Sequence, residues 1–142
     1  MRNGIYIIEE AEIEMHRAEE DLEYARSETH RAHKEMEFAI TESKNLWDQY
    51  KDMRNQYKDV IVEAREGGYF DEDAQAIKED AQAIKEDAQA IKEEALEQNN
   101  VVQETEAVFN AVKIREKTAQ EVYEAKKRCY EQIVAIFNTE KE

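Results

Sequence analysis

Few side chains in this sequence have the chemistry of a catalytic or metal-binding group, and their spacing limits what they can do. Histidines stand at positions 16, 30 and 33. On a helix, His30 and His33 share a face, and with Glu37 they could hold one metal ion. The paired Glu-x-x-His motifs of carboxylate-bridged di-iron bundles are absent, since Glu12 lies four residues before His16 rather than three. Exposed helix histidines, with His33 near Glu106, are the stronger reading, so neither metal nor cofactor is expected. Ser27 and Ser43 are the only serines, and neither lies in a turn motif that would present a nucleophile. Gly67-Gly68 is not a phosphate loop, because no Gly-x-x-x-x-Gly-Lys pattern follows it. Cys129 is the single cysteine, which excludes an intramolecular disulfide and any multi-cysteine zinc site. It reads first as a buried or half-buried structural thiol, and second as a redox link between subunits.

The elements that would have to position these groups are long helices. The chain has no proline and only three glycines in 142 residues, too few for the turns of a sandwich, a barrel or a doubly wound sheet. Charged residues make up 39% of it, with 35 acids against 20 bases and a net charge of −15. That load, with Ala, Glu, Lys and Ile abundant, predicts coiled coil. The longest apolar runs, Ile5 to Ile8 and Ile133 to Phe137, fall far short of the ~20 residues that cross a bilayer. No membrane span and no secretory signal are read, and the cytoplasm is the expected compartment.

We read one domain over 1–142: a helix from about 5 to 66, a turn at about 66–71, and a second helix from about 72 to 138. Asp71 can cap the second helix. In the first arm, residues 8, 11, 15, 18, 22, 25, 29, 32, 36, 39, 43, 46, 50, 53, 57, 60 and 64 alternate steps of three and four without a slip, which is an uninterrupted heptad seam. The second arm carries its own seam from Ala74 through Ile77, Ala81 and onward to Phe137. The two seams fit antiparallel, with the numbers of facing residues adding to 141. Small then meets large: Ala32 with Phe109, Ala18 with Tyr123, Ala88 with Met53, Ala95 with Leu46. Polar Ser43 meets polar Gln98. The fold class expected is therefore all-α, a long antiparallel two-helix coiled-coil hairpin able to dimerise into a four-helix bundle. The rival, a parallel dimer of one continuous rod, must carry Gly67 and Gly68 inside a helix at ~1 kcal/mol each.

Asp-Ala-Gln-Ala-Ile-Lys-Glu occurs three times, starting at Asp73, Asp80 and Asp87. Each copy adds about 10 Å of helix without shifting the seam, so the repeat reads as a spacer. Residues 71–106 hold twelve acids and three bases, and the facing 35–66 does not neutralise them. Phosphate repulsion argues against direct nucleic-acid binding there.

The interaction signal is apolar surface off the seam. Ile40, Trp47 and Ile61 share one flank of the first arm and read as a partner-binding site. Trp47 is the expected anchor, with Lys92 beside its ring. Val101, Val108, Val122, Cys129 and Ile136 share a flank of the second arm and read as an oligomer interface. Their expected neighbours are mostly acids, Glu42, Glu35, Asp21 and Glu14, so they need another apolar surface. A two-helix rod offers no concave, preorganised site, and no enzyme is expected. The function expected is a non-enzymatic interaction protein (adaptor, spacer or inhibitor) that binds a protein partner, for which the acid excess suits a basic surface, and forms a homodimer. The alternative is an acidic decoy that mimics nucleic acid and inhibits a nucleic-acid-binding enzyme, as a phage-type antagonist of host defence would.

Overall fold

A computed structural model describes residues 2–66 and 71–140, and every one of them is helical. Helix α1 spans Arg2–Glu66 and helix α2 spans Asp71–Glu140. The chain is an all-α helical hairpin in which two long helices pack against each other. The turn expected at 66–71 falls largely outside the described residues. No described helix is long and apolar enough to cross a membrane.

The packing divides into two compact units, Met1–Glu35 with Glu106–Glu142, and Met36–Thr105. In the first, partners on α2 descend as those on α1 rise. Gly4 approaches Phe137 so closely that a β-carbon would sit 2.7 Å from the ring, so only glycine accommodates it in place. The Lys126 ammonium donates to Glu14 at 3.1 Å. Arg26 donates to Gln120 Oε1 at 2.9 Å and lies 3.9 Å from Glu116. Thr29 Oγ1 bonds its own Ala25 carbonyl at 3.0 Å and reaches the Val112 carbonyl at 3.4 Å. The His33 ring tilts against Phe109, with centroids 5.2 Å apart.

The second unit has a polar layer in an otherwise apolar seam. Ser43 donates to Asn99 Oδ1 at 2.9 Å, and the Trp47 indole N–H donates to the same oxygen at 3.3 Å. Gln98 Nε2 donates to the Ala39 carbonyl at 3.2 Å. Among the described residues no buried side-chain nitrogen or oxygen lacks a partner.

The core is a ladder of small residues. Ala18, Ala25, Ala32, Ala39, Ala81, Ala88 and Ala95 are all buried, Ala95 completely, with Leu22, Val112 and Ser43. Every predicted seam position of α1, and every described one of α2, is buried or half-buried. Two helices bury one stripe each, so the larger seam residues reach over the alanines and keep one edge in water.

Three expectations need correction. Cys129 is exposed, not buried or half-buried. Its expected neighbour Glu14 turns to Lys126 and does not cover the thiol. The Lys92 ammonium, expected over the Trp47 ring, lies 6.0 Å from the centre of the Tyr50 ring, which meets Trp47 in a T-shaped contact at 5.9 Å. Ser43 takes Asn99 as its partner in place of Gln98.

Candidate interaction surface

The side chains of interest stand on the flanks of the seam, where a helix residue is placed by its heptad position and then left to what surrounds it. On α1, Ile40, Trp47 and Ile61 recur at multiples of seven and lie on one side of the helix. Ile40 is 47% exposed. Trp47 and Ile61 are half-buried. Trp47 thus contributes to the second unit as well as offering part of its ring outward. Its N–H is tied to Asn99, and its ring makes a T-shaped contact with Tyr50.

On α2, Val101, Val108, Val122, Cys129 and Ile136 are all exposed. Val101 belongs to the second unit, and the other four belong to the first. Within the first unit, Val122 borders an open groove of about 300 Å³ whose floor is Ala18 and Ala119. Ile114, Arg115, Thr118 and Asp21 complete its walls. Ala18 and Ala119, small residues from neighbouring layers of the seam, leave this hollow, and larger side chains would have filled it.

In the second unit, a groove of about 510 Å³ runs along the same kind of flank. Leu46 and Val101 give it an apolar strip, Asn45, Gln49 and Gln98 are polar, and Glu42, Glu94 and Glu97 supply three carboxylates with no base among the lining residues.

Some exposed apolar residues were missed by a reading that looked only beside the seam. Ile13, Val62 and Ile114 are exposed at the helix position opposite it, Ile114 the most of the three at 67%. A search for apolar residues at that outward position would have found them. Asn99 was also missed. It looks like one more polar flank residue, yet it accepts two hydrogen bonds.

The histidines are placed as ordinary helix residues. His16 lies 3.6 Å from both Glu12 and Glu19, and His33 packs on Phe109. Among the described residues, no three of His, Cys, Asp and Glu gather where one ion could touch them.

No protein-family model matches the chain, and no curated protein or solved structure is significantly similar to it.

Proposed function

We propose that this chain is a non-enzymatic, cytoplasmic interaction protein, an antiparallel hairpin that acts as adaptor, spacer or inhibitor by binding a protein partner and a second copy of itself. The observation that carries the reading is the exposure of Val108, Val122 and Ile136 along one flank of α2. Each such side chain is worth ~1.5–3 kcal/mol when fully buried, so an unmet row of them favours association. Ile40, Trp47 and Ile61 are the proposed partner site on α1. Ile40 offers the most surface of the three, and Trp47 divides its ring between the fold and the outside. The acids beside the valines favour a partner whose apolar surface is edged with Lys or Arg.

Light scattering at micromolar concentration tests the self-association. The wild-type chain is expected as a dimer or larger. Val108→Glu with Val122→Glu should give a monomer of unchanged helicity, since both residues are exposed. A monomeric wild type would refute self-association and leave the stripe to a different protein.

The acidic-decoy reading keeps one specific support, the three carboxylates of the Glu42, Glu94 and Glu97 groove with no base in its lining. A decoy loses affinity for its target enzyme steeply as salt rises, whereas an apolar stripe does not.

A further inference from the structure

Two surfaces of the chain are complementary in sign, and each lies within one unit. The first is the groove of the second unit. Its apolar strip, Leu46 and Val101, is edged by Glu42, Glu94 and Glu97. Among the described residues, none of these three carboxylates forms an ion pair or a hydrogen bond. The second surface lies on α2 in the first unit, around Ile114, which is 67% exposed. Lys113 and Lys117, one residue before it and three after, lie on the same side of it, and together with Asn110 and Gln120 they line one open hollow of about 620 Å³. Lys113 lies 5.8 Å from the Phe109 ring centre, and among the described residues neither lysine is paired with a carboxylate. Glu116, the one acid on this surface, faces Arg26.

An isoleucine beside two unpaired ammonium groups matches, in apolar contact and in charge, an apolar strip edged by three unpaired carboxylates. Val101 and Ile114 belong to one continuous helix, so a chain does not bring its own Ile114 into its own groove. We propose that the Glu42, Glu94 and Glu97 groove is a docking site for the Lys113, Ile114 and Lys117 surface of a second copy of this chain. The inference rests on the self-association proposed above for its second copy, but it shares only Val101 with the valine stripe and does not use Val108, Val122 or Ile136. Ion pairs formed around a shielded apolar contact set register and orientation, and they reject a copy presented the wrong way round.

The test is a charge-swap mixture of full-length chains, read by sedimentation velocity with helicity followed by circular dichroism. One variant is Glu94→Lys with Glu97→Lys. The other is Lys113→Glu with Lys117→Glu. Each should self-associate about tenfold or more weakly than wild type. The first variant raises the net charge by four, so general repulsion alone predicts tighter association, the opposite result. Mixed in equal amounts, the two variants offer each other one native and one reversed pairing, and association should return. Ile114→Ser should weaken association of the wild-type charges. A mixture that fails to restore association overturns the proposal. If wild type associates, neither charge variant weakens it, and Val108→Glu with Val122→Glu abolishes it, then the valine stripe carries the contact and this site is refuted. A wild type that stays monomeric overturns both.

Discussion

Exchanging the sizes of Ala32 and Phe109 tests the packing at a single layer. The Thr29 contact with Val112, one turn away, places these two residues opposite each other in the first unit. Ala32 is 5% exposed, while Phe109 is half-buried and carries the His33 ring on its face. Truncating a fully buried phenylalanine to alanine costs ~3–5 kcal/mol, so Phe109→Ala at a half-buried site should cost about 2. Loss of the ring contact with His33 adds ~0.5–1 kcal/mol. Ala32→Phe forces a ring into a filled layer and should cost ~1–3 kcal/mol, although phenylalanine is the more hydrophobic residue. Two independent changes would therefore destabilise the chain by about 3.5–6 kcal/mol in sum. Carried together, they restore one small and one large residue to the layer. The double variant should then lie within about 1.5 kcal/mol of wild type, a coupling near 3 kcal/mol. Urea unfolding followed by far-ultraviolet circular dichroism, at one fixed protein concentration, measures all four chains. A double variant that loses the full sum would show that the two residues do not share a layer.

Three further outcomes follow from particular contacts. Asn99→Ala removes the acceptor of Ser43 and Trp47 and should lower stability by ~1–2 kcal/mol in urea unfolding, whereas Trp47→Phe, which gives up only the longer of the two bonds, should cost less than about 1. Lys126→Met keeps the aliphatic stem at the seam and loses an exposed ion pair with Glu14, so stability should move by less than about 1 kcal/mol and the difference should shrink further in high salt. In the Val108→Glu, Val122→Glu chain, whose flank no second copy covers, the exposed Cys129 thiol should react with a maleimide as fast as it does in urea, and strong protection there would contradict its placement.

The seam was legible because its signal is redundant. A heptad repeated through α1 and α2 states the buried stripe many times over, and one misread residue does not shift it. The register was legible for a related reason. Alanines at 18, 32, 88 and 95 need large partners, and a shift by seven would pair alanines with each other at the layer of Ala39 and Ala95. Flank contacts were not legible, because adding residue numbers locates α-carbons and ignores how side chains lean. Helical side chains tilt toward the helix N-terminus and cover the preceding turn. Trp47 therefore reaches back over the level of Ser43, where Asn99 stands opposite, and the Lys92 ammonium lies over Tyr50. Arg26 leans back in the same way to Gln120.

What bears on function lies in the residues that this geometry leaves unexplained. At the outward position opposite the seam, the three repeats carry Glu79, Glu86 and Glu93, the residue type that keeps a solvated helix face in water. The same position further along α2 carries Ile114, 67% exposed. Packing does not ask for an isoleucine there, because the side chain points away from α1. Helix propensity does not ask for it either, since a β-branched residue is a poorer helix former than glutamate or alanine. The same argument applies to Val108 and Val122, on a flank where the repeats carry Asp80 and Asp87. Fold stability and solubility both favour a charged or small residue at each of these positions, so the apolar ones are best accounted for by a surface that covers them.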